Sequence, residues 1–266
     1  MKIAFIGGGN MGEAMLSAIL TKNLATLRTV TVSDASEARR NLLREKYKVD
    51  VTADNRAAVS RGDTIILAVK PQSLPEVLTQ LKGALQPSQL VLSIIAGARM
   101  STLQEGLWHK SIVRVMPNTP AQIGEGMSVW TATPEVTPEQ KERAKAILGT
   151  MGRELYVSDE DDIDKATAVS GSGPAYVFLF VEALVSAAQK LGFSPEVAKL
   201  LVLQTLLGSS HFLAKSGREP EDLRRMVTSP GGTTAAALAR FEKGEWVKLV
   251  EEAVAAAYNR AKELGK

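Results

Sequence analysis

The sequence predicts an α/β protein whose first part is a mostly parallel sheet flanked by helices and whose second part is helical throughout. Three observations predict it. Short β-rich runs alternate with amphipathic stretches along the first half, the pattern of repeated βαβ units. The turn "GGGNMG" (7–12) stands directly between the first β-rich run and the first helical stretch. After about residue 160 the β-rich runs stop and helical periodicity alone continues.

Taken in order, "KIAFIG" (2–7), "TVTVS" (29–33), "DTIILAV" (63–69), "QLVLSII" (89–95) and "SIVRVMP" (111–117) read as strands. Helical stretches fall between them at 11–22, 35–46, 54–60, 72–84 and 100–107. "GMSVWTAT" (126–133) and "RELYV" (153–157) read as further strands. They flank a helix at 137–150, which opens at Thr137-Pro138, a hydroxyl cap followed by a proline at the first helical position. The second half reads as helices at 162–170, 174–191, 195–215, 219–226, 233–242 and 244–264.

The bulk composition narrows the function. Hydrophobic residues at 45% and charged residues at 23% describe a soluble globular chain with ample core, and 266 residues suit one large or two modest domains. With no cysteine there is no thiol nucleophile, disulfide or thiolate metal site, and two distant histidines, His109 and His211, argue against a histidine metal cluster. A net charge of +3 without a basic block argues against nucleic acid. The N-terminal apolar stretch is too short for a signal sequence, and no uncharged run reaches the ~18 residues of a membrane span. The expectation is a cytoplasmic protein with no membrane or nucleic-acid partner.

The glycine turn carries the first functional signal. Gly7, Gly9 and Gly12 form a G-x-G-x-x-G between strand and helix. In that context the first permits a tight turn, the second lets a pyrophosphate approach the backbone, and the third lets helix and strand pack closely. The first half is therefore predicted to be a Rossmann-type dinucleotide-binding domain, residues 1–160. Asp34 ends the next strand about 20 positions beyond Gly12, the usual place for an acid that bonds a ribose 2′-hydroxyl and favours NAD. Ser33, Ser36, Arg39 and Arg40 lie beside it and suit a 2′-phosphate. Asp34 as the cap of the following helix is an equal reading, so NADH and NADPH both stay open. Lys70-Pro71 ends the strand at 63–69, on the rim where open sheets bind ligands.

The second half raises a packing question. "PAYVFLFVEALVSAAQKLG" (174–192) carries one charge, Glu182, before Lys190, and "AKLLVLQTLLG" (198–208) is nearly as apolar. A helix apolar on nearly every face must be surrounded. The remaining helices are too few to enclose both segments, so residues 161–266 are predicted to be an all-helical dimerisation domain covered by a second copy. A monomeric bundle packed on the first domain is the alternative. "MVTSPGGTTAAALARF" (226–241) places proline and glycines where a helix opens. One reading is capping by Ser229 with Pro230 just inside; the other is an anion site built from the N–H groups of Gly231, Gly232 and Thr233.

"FIGGGNMG" (5–12), "AVKP" (68–71), "VMPNTPAQIGEG" (115–126), "SGSGPAY" (170–176) and "VTSPGGTTAAAL" (227–238) occur in that order. Together they make the chain similar, over essentially its whole length, to pyrroline-5-carboxylate reductases, which make L-proline. The resemblance implies that Gly7, Gly9, Asn10, Met11 and Gly12 line the cofactor pyrophosphate. It places Ser33 and Asp34 near the adenosine ribose, and Asn55, after the third strand, near the adenosine. Ala68, Val69, Lys70 and Pro71 flank the cofactor, with Asn118 and Thr119 at the sheet's rim. Ser229, Gly231, Gly232, Thr233 and Thr234 correspond to the pyrroline site, where Thr234 bonds the ring nitrogen. "SGSGPAY" reads as a tight loop that either walls the pocket or packs helices closely. The resemblance also implies a homo-oligomer, a dimer or a ring of dimers. The chain departs from the family at "REP" (218–220) and at Arg224-Arg225.

Two other functions fit parts of the pattern. One is a β-hydroxyacid dehydrogenase-like reductase with Lys165 as acid–base, but "KATAV" lacks the asparagine expected one turn on, and Lys165 reads as a surface charge. The other is a non-catalytic dinucleotide-binding regulator, which would have no use for the intact "TSPGGTT".

Overall fold

In the computed structural model, which describes residues 1–265, eight strands form one sheet. They are β1 (Ile3–Ile6), β2 (Val30–Ser33), β3 (Asp50–Thr52), β4 (Thr64–Leu67), β5 (Leu90–Ser93), β6 (Ile112–Met116), β7 (Gly126–Ala132) and β8 (Gly152–Tyr156). Their order is β3-β2-β1-β4-β5-β6-β7-β8, parallel except where β7 runs against β6. The helices of this part are α1 (Asn10–Thr21), α2 (Glu37–Tyr47), α3 (Asn55–Val59), α4 (Leu74–Leu81), α5 (Met100–Leu107) and α6 (Pro138–Gly149).

Strand alternation explains why both faces are covered. Ile3 and Phe5 of β1 join Met15, Leu16 and Ile19 of α1 in one core, while Ala4 and Ile6 join Val77, Leu81, Leu103 and Leu107 of α4 and α5 in the other. A parallel sheet buried on both faces reads as near-continuous apolar runs, which is how β1, β4 and β5 stand in the sequence. The short β3 is absent from the strands that the residue pattern marks, although the resemblance implies a third strand before Asn55. It has three residues, begins with the exposed Asp50 and pairs only with β2 at the sheet's edge, so neither alternation nor an apolar run marks it. Thr137 caps α6 through a reciprocal pair of bonds with Gln140, as its sequence suggested.

The helical part contains α7 (Asp161–Ala166), α8 (Gly173–Lys190), α9 (Pro195–Ser216), α10 (Pro220–Met226), α11 (Thr233–Lys243) and α12 (Trp246–Leu264). The tight loop expected at "SGSGPAY" is absent. Thr167–Gly171 instead forms a π-helical turn that joins α7 to α8 without a break, closed by the Ser172 N–H on the Thr167 carbonyl at 2.8 Å. By contacts the chain falls into two compact units, Met1–Pro174 together with the stretch from Ala257 on, and Ala175–Ala256. The segment α7 sits in the first unit through a buried ion network: Arg114 of β6 reaches Asp164 at 2.6 Å and Glu160 at 3.0 Å, and Arg99 reaches Asp161 and Asp164.

Within the second unit, α8 has no buried residue. Val177, Phe178 and Leu179 are exposed on it, as are Leu200, Leu201 and Leu207 on α9. Asp161–Lys190 and Pro195–Ser216 are each long and apolar enough to cross a membrane by length and composition.

Candidate active site

The glycine turn has the geometry its spacing asks for. Gly7 has a φ of +98°, and a Cβ there would lie 2.8 Å from the Ala68 carbonyl carbon, so only glycine fits between β1 and the end of β4. A Cβ on Gly12 would meet the Gly7 carbonyl oxygen at 2.7 Å, which fixes the close approach of α1 to the strand. At Gly9 the same construction meets nothing within 4 Å, leaving the backbone open on that side. Gly9 also caps α1 with no side-chain bond, so the first N–H groups of that helix are available to an anion.

This turn borders a cavity of about 270 Å³ lined by Gly7, Gly9, Ser33, Asp34, Asn55, Ala68, Val69 and Lys70. Eight of the expected cofactor residues thus meet at one place, the carboxyl ends of β1, β2 and β4, where the strand order reverses and open sheets take their ligands. Asn10 and Met11 belong to the first turn of α1, Pro71 opens a short 3₁₀ turn, and Asn118 follows β6. The cavity also holds Glu76 and Gln80 of α4, which no motif marked.

Electrostatics around Asp34 decide its structural role. Ser36, not Asp34, caps α2, accepting the Arg39 N–H at 3.3 Å. The Asp34 carboxylate instead accepts the N–H of Gly8 at 2.8 Å and of Ser36 at 2.9 Å, tying the glycine turn to the end of β2. Arg39 is held by the Gly8 carbonyl and the Glu13 carboxylate. Arg40 donates to the Asp34 and Ala35 carbonyls at 2.7 and 2.9 Å. Burial works against the charge on Glu13, yet bonds from Lys46, Tyr47 and Arg39 outweigh it and hold its carboxyl below the usual range. On the far wall Ser33 Oγ donates to Asn55 Oδ1 at 2.6 Å, and Asn55 Nδ2 donates to Gln80 at 2.6 Å.

In the second unit, Ser229 is not the cap of α11. The N-cap is Gly232, which offers no side-chain acceptor, and Gly231 before it has a φ of +69°, a conformation suited to glycine. The Gly232 N–H already donates to the Ser229 carbonyl at 3.0 Å. That removes it from the set expected to hold an anion, while the helix opens at Thr233 with no side chain on its first N–H groups. An uncapped helix start can take an anion through its partial positive charge and its free donors.

The remaining candidates are structural. His109 is buried against the Gln89 carbonyl at 2.8 Å, and burial pushes its pKa below the ordinary value. Lys165 lies at the surface paired with Asp162 at 2.7 Å, which raises its pKa, and it has none of the burial an acid–base lysine needs. Among the described residues no cluster of histidine, aspartate and glutamate could hold a metal. The departures are also at the surface: Arg225 pairs with Glu221 at 2.7 Å on the exposed α10. Motif reading missed Arg114 and its acid partners. The signal was an arginine inside the apolar run "SIVRVMP", which cannot be buried without a counter-charge.

A Rossmann-type sheet with a glycine-lined cavity, followed by an apolar helical domain, defines a dinucleotide-binding oxidoreductase. Residues 2–97 match the family model described as "NADP oxidoreductase coenzyme F420-dependent", and residues 160–264 match "Pyrroline-5-carboxylate reductase dimerisation". The chain belongs to the pyrroline-5-carboxylate reductase family. A pyrroline-5-carboxylate reductase of Pseudomonas aeruginosa is 41% identical over 266 residues, covering 100% of this chain and 97% of that one. A solved pyrroline-5-carboxylate reductase of Coxiella burnetii superposes with a TM-score of 0.91 at 38% identity, covering 100% and 98% of the two chains. A pyrroline carboxylate reductase of Plasmodium falciparum, solved with NADP bound, gives a TM-score of 0.91 at 34% identity with the same coverage.

Proposed function

We infer that the chain reduces the C=N bond of 1-pyrroline-5-carboxylate with NADPH or NADH to give L-proline. The observation that carries this reading is the uncapped glycine turn before α11, kept intact in a chain whose sheet holds a dinucleotide cavity typical of a reductase. The substrate is a small ring with a carboxylate and an imine. Its carboxylate suits the first N–H groups of α11, and glycines there leave the approach clear.

Reduced nicotinamide would supply a hydride to the imine carbon of the ring, the C=N electron pair passing to the nitrogen. The chain's own part is positioning. Gly7, Gly9, Asn10, Met11 and Gly12 hold the pyrophosphate, while Ser33, Asp34 and Asn55 hold the adenosine side. Ala68, Val69, Lys70 and Pro71 border the remainder, with Asn118 after β6 at the sheet's rim. Ser229, Gly231, Gly232 and Thr233 frame the carboxylate, and the Thr234 hydroxyl bonds the ring nitrogen. A protonated imine already accepts hydride readily, so no histidine or strongly shifted acid is needed, and near-attack alignment carries the rate.

Residues 1–160 serve as the cofactor domain and 161–266 as the substrate and dimerisation domain in this reading. A second copy, rather than lipid, covers the apolar faces of α8 and α9, which accords with the dimerisation family match. The functional form is a homodimer or a ring of dimers in the cytoplasm, without nucleic-acid or membrane partners.

The test is the fall in NADPH or NADH absorbance when 1-pyrroline-5-carboxylate is added to the purified chain, with L-proline identified as product. Consumption with both cofactors is expected. Cofactor binding without turnover on this substrate would leave a dinucleotide-binding regulator instead.

A further inference from the structure

The π-helical turn at Thr167–Gly171 is held from outside its own helix. The Asn118 side chain is used at both ends: its Oδ1 accepts the Met127 N–H of β7 at 2.8 Å, and its Nδ2 donates to the Ser170 carbonyl at 3.1 Å. The two partners, an N–H and a carbonyl, fix which end of the amide is which. One residue further, a Cβ on Gly171 would lie 2.7 Å from Met116 Cε, so the turn packs against the end of β6 at van der Waals limit. The hydroxyls of Thr167 and Ser170 return to their own helix, on the Ile163 and Ala166 carbonyls at 2.7 and 3.0 Å, and give no lateral support. Asn118 and Met116 give lateral support beside the buried Ala168.

The position of this seam gives it meaning. The adenosine-side residues gather at β1 to β3, and a dinucleotide spans the point where the strand order reverses. The nicotinamide half therefore extends over the ends of β4 to β6, where Asn118 lies. A π turn holds one extra residue within the helix, and its conversion to α geometry would rotate the downstream residues by about 100° about the helix axis. The first turn of α8 would move with it.

We propose that Asn118 is a positioning residue: its amide clips the loop after β6 and the edge of β7 to the π turn, and so sets the phase at which the chain enters α8. Asn118 then acts on the reaction through the π turn and the start of α8, not by holding the cofactor. The proposal rests on the reductase reading above.

The test combines kinetics, cofactor binding and hydrogen exchange. For Asn118→Ala, kcat/KM for 1-pyrroline-5-carboxylate should fall about tenfold, the scale of two neutral hydrogen bonds, while NADPH Kd by fluorescence stays within about twofold. Amides of residues 167–172 should exchange faster than in the wild type. Asn118→Asp, which keeps the acceptor for the Met127 N–H and loses the donor to the Ser170 carbonyl, should show the same exchange and kinetic pattern. An NADPH Kd that weakens in step with kcat/KM in Asn118→Ala would make Asn118 a direct cofactor ligand and overturn the proposal. Unchanged exchange at 167–172 in Asn118→Ala or in Asn118→Asp would overturn it equally. A wild-type chain inactive on the pyrroline would defeat the reductase reading alone, and the exchange results would still decide the clip.

Discussion

The sheet unit and the helical unit contain comparably apolar segments and treat them in opposite ways. In the sheet unit Phe5, Ile6, Ile65, Ile66 and Leu67 are 0% exposed, each enclosed by elements of the same chain. In the helical unit Phe178 is 58% and Leu179 is 67% exposed, although they belong to the most apolar helix in the sequence. Hydrophobic driving force scales with area removed from water, so the first unit completes its core alone and the second does not. An apolar helix left open in a single chain marks an interaction face, and this one lies in the region that matches the dimerisation family model.

One substitution in each unit should separate them. Phe178→Asp puts an unpaired carboxylate into the covered face of α8 and should cost about 3–5 kcal/mol of assembly, the penalty of a buried unpaired charge. Sedimentation should show loss of the oligomer, while NADPH still binds the sheet unit. Gly7→Ala should do the reverse. The φ of +98° and the contact with the Ala68 carbonyl make a side chain there costly by about 2–3 kcal/mol, roughly a hundredfold in NADPH Kd. Its oligomer mass should not change.

Smaller effects sharpen the same division. Thr234→Ala should lower kcat by roughly five- to a hundredfold, about 1–3 kcal/mol for one bond to a charged group, with cofactor affinity unchanged. Gly232→Ala should instead mainly raise KM for the pyrroline, since a Cβ there obstructs the carboxylate and crowds Ser229. Steady-state kinetics with separate cofactor titrations distinguish the two; loss of thermal stability alone, with wild-type kinetics, would reduce the turn to a helix start. The smallest effect concerns His109. Burial favours its neutral form, so the stability it contributes is present above its ordinary pKa of about 6.5 and is lost as pH falls below that value. Between about pH 7 and pH 5 the Tm of the wild type should drop more than that of His109→Gln.

Most of the sheet was legible in the sequence because its strands, and the helix caps between them, follow local rules. Alternation and apolar runs mark β1, β4, β5 and β6, and Thr137-Pro138 marks the start of α6. The edge strand β3 escaped because pairing with β2, not its own residues, makes it a strand. "SGSGPAY" reads as a loop by composition; tertiary contacts from Asn118 and Met116 keep it helical, and no local rule reveals them. At the first glycine turn the spacing foretold the cavity, whereas the sequence left Asp34 open as ribose ligand or helix cap; the backbone puts Ser36 at the cap. Before α11 the residue pattern left capping and anion binding open. The backbone decided that Gly232 is the cap and that its own N–H is already bonded to Ser229.

The contrast between a self-contained sheet unit and an incomplete helical unit is tested most directly by one dilution series. Molecular mass by light scattering and NADPH-dependent reduction of 1-pyrroline-5-carboxylate are measured on the same samples. The account predicts dimers or multiples of dimers wherever the chain is folded, with activity lost together with the oligomer. A folded monomer that keeps full activity at low concentration would contradict it.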